Sequence, residues 1–244
     1  MKAILPAIHG IIDRRMLINY RVRPDVLRPL LPPFFRLKLV HGWAMAGICF
    51  IRLKAMRPHG FPAFCGLGSE NAAHRIAVEW DEAGALREGV YVARRDTSSA
   101  WQALAGGRLF PGMSHIAKFT VDEGAEQLAL QMRARDGAVE IKLRARRTGN
   151  FSPDSIFKSL AEASEFYARG SAGYSATDTP HCCDGLELCT RNWQVEPLEI
   201  QQVRSSFFDD RTLFPEGAIH LDCALLMENI EHTWRVLPRM ERLL

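Results

Sequence analysis

Residues Glu126 to Arg147 impose more on the fold than any other stretch of this 244-residue chain. Asp136-Gly137 is a turn signal of the kind that favours a two-residue type I′ hairpin loop. Folding the chain there sets Ala134 opposite Val139, Met132 opposite Ile141, Leu130 opposite Leu143 and Leu128 opposite Ala145. Those pairs are apolar, whereas the intervening pairs, such as Arg133 with Glu140 and Gln131 with Lys142, are polar. A slip of one residue would move the apolar set to the wet face, so the register is specified by the pattern itself. The chain must therefore supply a partner for one face of an antiparallel ribbon.

Other segments read in the same way. Arg14 to Val22, Phe35 to Val40, Trp43 to Leu53, His74 to Trp80, Gly89 to Arg94, Ser114 to Val121, Leu186 to Val195, Ile200 to Phe207 and Ile219 to Met227 have strand character. Cys223 to Trp234 also fits a helix, and Ala55 to Gly68 reads as a loop because Pro58, Gly60, Pro62, Gly66 and Gly68 punctuate it. Ser171 to Gly185 reads as a turn-rich connection of small residues. The best helix runs from Pro153 to Ala168, with Ser152 as N-cap, Pro153 at the first helical position and Asp154 in the first turn. Many antiparallel strands with one main helix define an α+β class dominated by β structure, expected as a single domain over residues 1–244.

Composition excludes several functions. With 47% hydrophobic and 24% charged residues the chain is neither disordered nor fibrous, and no apolar run is long enough to span a membrane as a helix. A net charge of +3 gives no reason to expect a nucleic-acid partner, and the basic residues of the Glu126–Arg147 hairpin lack interleaved aromatics for base stacking. The cysteines form no C-x-x-C pair, and His181-Cys182-Cys183 with Cys189 departs from zinc spacing, so no metal and no cofactor is expected. Met1 to Ile12 is broken by Pro6, His9 and Gly10 and does not read as a secretory signal, which points to the cytoplasm. The only lysines are Lys2, Lys38, Lys54, Lys118, Lys142 and Lys158; the rest of the 31 basic residues are arginine, which suits carboxylate recognition rather than covalent amine chemistry.

A charged group stands out within apolar sequence. Glu70 follows a glycine-rich loop, Arg94-Arg95-Asp96 closes a strand, and Arg108 and His115 flank the turn Phe110-Pro111-Gly112-Met113. If the strand ends converge, these residues would ring an apolar pocket with a carboxylate and guanidinium groups, the usual form of a small-molecule site. Ordinary surface ion pairs are the other reading.

The order of several motifs is similar to that of a known family. Tyr20-Arg21, Pro24 to Pro32, His41-Gly42-Trp43, Gly68-Ser69-Glu70-Asn71, Gly107 to Gly112 and the series Trp193, Phe207-Phe208 and His232-Thr233-Trp234 resemble the uncharacterised YqjF-like family, itself distantly similar to acetoacetate decarboxylase. The resemblance implies a curved antiparallel sheet closed into a cone or barrel around a central pocket, with Glu70 as the pocket glutamate. The decarboxylase pattern carries Gly-Arg-Glu, an aromatic residue and Pro-Lys-Lys, whose first lysine forms a Schiff base. The matching stretch here is Gly107-Arg108-Leu109-Phe110-Pro111-Gly112-Met113, so glycine and methionine replace both lysines. Lys118, the nearest amine, belongs to the following strand.

Three readings follow from this. The first is a protein that binds a small anionic or carbonyl-bearing ligand through Glu70, Arg95, Arg108, Phe110, Met113 and His115. The second is an enzyme without Schiff-base chemistry that uses Glu70 or His115 as acid or base on a carbonyl compound. The third is a structural homo-oligomer whose cavity is filled.

Overall fold

A computed structural model describes residues 8–58, 60–62, 66–105 and 112–241. Among them the strands are β1 (Ile8–Val22), β2 (Arg36–Leu37), β3 (Leu39–Val40), β4 (Trp43–Pro58), β5 (Leu67–Glu82), β6 (Ala85–Thr97), β7 (His115–Glu123), β8 (Gln127–Ala134), β9 (Glu140–Arg147), β10 (Ala172–Ala176), β11 (Cys182–Thr190), β12 (Glu196–Ser205) and β13 (Ile219–Glu241). The α-helices are short: α1 (Pro24–Leu27), α2 (Ala100–Ala105) and α3 (Leu160–Ala168). The class is the one expected, a mostly antiparallel sheet with little helix.

The ribbon β8–β9 has the expected register, with Leu128 opposite Ala145, Leu130 opposite Leu143 and Met132 opposite Ile141. Its turn differs from expectation. A type I′ loop needs both central residues left-handed, but only Gly137 has positive φ (+74°), and its N–H donates to the Ala134 carbonyl at 3.1 Å. Asp136 is held otherwise: its carboxylate accepts the Ala138 N–H at 3.0 Å and an Arg94 guanidinium N–H at 2.9 Å.

Strand pairing closes on itself twice. One circuit runs β13–β1–β4–β5–β6–β7–β8–β9–β12 and returns to β13. A smaller circuit leaves β6 through the parallel partner β10, passes to β11 and rejoins β13. Strands β1, β4, β5 and β6 and part of β13 are therefore common to both. β13 changes partner along its length: Ala224–Leu226 faces β12, and residues from His232 onward face β11. Asn229 between them has φ +52°, a left-handed conformation that Asn tolerates better than most residues. The helical alternative for Cys223 to Trp234 thus gives way to a strand whose alternation serves two neighbours.

Because side chains of a strand point to alternate faces, the shared strands feed both interiors. Met16, Ile18, Phe50, Ala72 and Ile76 pack with Leu130, Met132, Ile141 and Leu143 to fill the larger circuit. Ile12, Leu53, Leu188, Met227 and Ile230 occupy the smaller one, and Leu17, Met45 and Cys49 meet Ala163 and Tyr167 of α3.

The main helix is shorter than its sequence suggests. It starts after Ser159, whose hydroxyl accepts the Glu162 N–H at 3.2 Å, rather than after Ser152. The preceding turns are held by buried Asp222, which accepts the Ser155 hydroxyl at 2.7 Å and the Ile156 N–H at 2.9 Å. Those tertiary bonds fix residues 153–158 in turns that a continuous helix would have replaced. Part of the expected loop Ala55 to Gly68 is strand: β4 extends through Pro58 and β5 begins at Leu67. The connection Ser171–Gly185 contains β10 and the start of β11. No helix among the described residues is long and apolar enough to cross a membrane.

His74 shows how the larger core responds to acid. Its ring is buried against Phe207 and Phe208, and neither nitrogen has a hydrogen-bond partner. Burial, assisted by nearby Arg94, pushes its pKa down from 6.5 to about 4. Between those values the unfolded chain takes up a proton that the folded chain refuses, so stability falls as pH falls. We expect wild type to lose about 2 kcal/mol more than His74→Leu between pH 7 and pH 5, read from urea unfolding midpoints. Equal losses would show that His74 has a proton-accepting partner.

Candidate functional site

The smaller circuit is not filled. It holds a cavity of about 170 Å³ to which each of its strands contributes: Arg15 from β1, Cys49 from β4, Arg75 from β5, Arg95 from β6, Gly173 from β10, Leu188 from β11 and Trp234 from β13. Gln102 of α2 and Ser114 also line it. Ile51, Leu53, Val90, Val92 and Leu186 make most of the remaining wall apolar.

Three guanidinium groups interrupt that wall. Arg15 donates from Nε to Cys49 Sγ at 3.3 Å and lies 5.4 Å from the centre of the Trp193 ring. Arg75 is only 5% exposed; it donates from Nη2 to Asn19 Oδ1 and lies over Tyr167 at 4.9 Å, while its Nε has no partner. The Nε of Arg95 is also unpartnered. Burial is the largest influence on both Arg75 and Arg95 and lowers their pKa values, that of Arg95 to about 10. Arg95 still carries its charge at neutral pH. Among the described residues, no carboxylate lies within ion-pair distance of any of the three. The nearby acids are already engaged: Asp96 with Arg94 at 2.8 Å, and Asp184 with Arg239 at 2.7 Å and the Gly112 N–H at 3.1 Å.

The contrast with adjacent residues follows from strand alternation. Arg14, next to Arg15, points to the other interior and is paired with Glu70 at 2.7 Å and Glu123 at 2.9 Å. Arg94, next to Arg95, has Asp96 and Asp136. Arg14 and Arg94 thus have carboxylate partners, whereas Arg15, Arg75 and Arg95 have none within ion-pair distance among the described residues.

Of the residues singled out from sequence, Arg95 lines the cavity. Glu70 lies on the opposite face of β5, where Arg14 and Arg52 hold its carboxylate at 2.7 and 2.5 Å. His115 is placed at the start of β7 with Nδ1 3.3 Å from Asp136, and Met113 is exposed; neither is among the cavity residues. Arg108 and Phe110 lie outside the described residues. Lys118 is on the exposed face of β7. Gly112 has φ +79°, and a Cβ there would lie 2.5 Å from the Cβ of Ser175, so the position admits no side chain without rearrangement. Sequence reading missed Arg15, Arg75 and Cys49. For Arg75 the available signal was an arginine within the largely apolar stretch Ala72 to Val78.

The closed sheet and its cavity define a protein of acetoacetate decarboxylase-like fold. Acetoacetate decarboxylase from Legionella pneumophila superposes with a TM-score of 0.61 at 15% identity, covering 96% of this chain and 88% of that one. An acetoacetate decarboxylase-like enzyme from Sphingomonas wittichii RW1 gives 0.58 at 13% identity, covering 98% and 93%. The enduracididine biosynthesis enzyme MppR, complexed with pyruvate, gives 0.59 at 11% identity, covering 97% and 90%. No curated protein matches by sequence. Residues 12–220 match the family model DUF2071, an uncharacterized conserved protein, and the chain belongs to that family.

The two charged groups on opposite faces of the sheet should respond oppositely to removal. Glu70→Ala leaves buried Arg14 short of a carboxylate and is expected to cost about 3 kcal/mol. Arg95→Met removes a desolvated charge that has no ion-pair partner among the described residues and only the more distant Asp184 to offset it, and is expected to stabilise by about 1 kcal/mol. Chemical denaturation checks both; a marked loss for Arg95→Met would reveal a counter-charge.

Proposed function

We propose that the protein binds a small organic acid in this cavity, with the ligand carboxylate against Arg75 and Arg95 and its apolar body against Ile51, Val92 and Leu188. One observation carries this reading: three arginines line a single small void and none has a carboxylate within ion-pair distance among the described residues, Asp96 beside them being paired with Arg94. Desolvating a cation is costly unless a partner offsets it. A carboxylate does so with short, charge-assisted hydrogen bonds, and a guanidinium presents its donors in a planar fork that matches it. At about 170 Å³ the void far exceeds the ~10–15 Å³ that a single water needs, which leaves room for an acid of a few heavy atoms. The pyruvate bound to MppR, an enzyme of the same fold, supports a ligand of this size and charge, including one that bears a carbonyl group.

The reading excludes a Schiff-base lysine. Gly112 and Met113 stand where the decarboxylase pattern has its lysines, and none of the described cavity residues is a lysine. Glu70 and His115 do not reach the cavity, which removes the support for an acid–base reaction through either of them. We place the protein in the cytoplasm, where the free thiols Cys49, Cys182, Cys183, Cys189 and Cys223 would persist.

Two measurements test this reading. Pyruvate or acetate at about 100 times its dissociation constant should stabilise wild type by about 2.7 kcal/mol, whereas neutral acetamide should not, and Arg95→Met should lose the response. Identical melting profiles with and without the acids would contradict it. Borohydride added with pyruvate should leave every lysine unmodified by mass spectrometry; a reduced adduct on any lysine would overturn the exclusion of Schiff-base chemistry.

A further inference from the structure

Cys49 is the one thiol among the described cavity residues. Cross-strand pairing sets Leu17, Cys49, Ala73 and Arg95 in one lateral row across β1, β4, β5 and β6. Neighbouring strands are about 4.8 Å apart, so Cys49 and Arg95 are separated by one strand, and the residue between them is only an alanine. Arg15 and Arg75 stand diagonally on either side: Arg15 pairs with Ile51, and Arg75 with Gly47. Arg15 Nε donates to the Cys49 sulfur at 3.3 Å, and the thiol is near enough to Arg75 and Arg95 to act electrostatically on both. The thiol is thus not an isolated cysteine. It shares its cavity with Arg75, which is 5% exposed and has an unpartnered Nε.

We infer that Cys49 is a covalent attachment site for small 2-oxo acids, adding reversibly to their carbonyl carbon while the arginines hold the carboxylate. This rests on the organic-acid reading above and gives the ligand a chemical class. In a 2-oxo acid the electrophilic carbon is bonded directly to the carboxylate, so an acid held at Arg95 and Arg75 presents that carbon above Ala73, towards the sulfur. The sulfur–carbon bond forms as the carbonyl π bond breaks, and the thiol proton passes to the former carbonyl oxygen. The product is a thiohemiketal, and no oxidant, reductant or leaving group is involved. Negative charge developing on that oxygen faces fixed guanidinium groups, an arrangement that stabilises such addition.

The same geometry dictates which alkylating reagents reach the thiol. Anionic iodoacetate should modify Cys49 at least about tenfold faster than neutral iodoacetamide, because the cavity attracts the anion. Exposed Cys189 in the same protein is the internal control and should show no such preference. Peptide mapping reads both sites, and Arg95→Met should abolish the preference at Cys49. In parallel, carbon-13 NMR of wild type with pyruvate labelled at C2 should show a protein-bound signal in the tetrahedral rather than the carbonyl region, absent from Cys49→Ser. If pyruvate stabilises both wild type and Cys49→Ser but gives no tetrahedral signal, the covalent step is overturned and the binding reading stands. If iodoacetamide reacts with Cys49 as fast as iodoacetate does, the electrostatic placement of the thiol is overturned. If pyruvate neither stabilises wild type nor gives a signal, the organic-acid reading falls with it.

Discussion

Alternation along strands that serve two interiors at once governs this molecule. β1, β5 and β6 each carry consecutive basic residues, Arg14-Arg15, His74-Arg75 and Arg94-Arg95. A strand must send the two members of such a pair to opposite faces. The larger circuit receives Arg14, His74 and Arg94, packs them among apolar side chains and supplies carboxylates for both arginines. The smaller circuit receives Arg15, Arg75 and Arg95, and keeps a void beside them. Arginines with ion pairs and arginines with none among the described residues are thereby separated by the thickness of one sheet.

That separation explains what could be read from sequence. The β8–β9 register was legible because every inward pair is apolar and a slip would expose all of them; the turn conformation was not, because Asp136 answers to Arg94, far away in sequence. Helix α3 was legible in its second half, but its start depends on Asp222, whose tertiary bonds displace the cap from Ser152 to Ser159. The candidate site was legible only at Arg95. Glu70 carried the right chemistry for a pocket glutamate, yet whether it faces the cavity or Arg14 depends on the parity of its position along β5 relative to Arg75. Closure of the smaller circuit through β10 and β11, which decides which parity faces the void, has no local signature.

The fold is that of acetoacetate decarboxylase-like proteins at identities too low to carry an activity. The chain's own residues supply the chemical argument. Gly112 occupies a left-handed position against Ser175 with its N–H tied to Asp184, so a side chain there would meet Ser175. What the cavity has instead is cationic charge on three strands and one thiol among them. Under the proposed reading, such a site takes up an anion before any reaction begins.

The most direct test of the account is a crystal structure of the protein grown with pyruvate. The account predicts a carboxylate within hydrogen-bond distance of both Arg75 and Arg95 inside the smaller circuit. A cavity occupied only by water at saturating pyruvate, or pyruvate seated at Glu70 on the other face of the sheet, would contradict it.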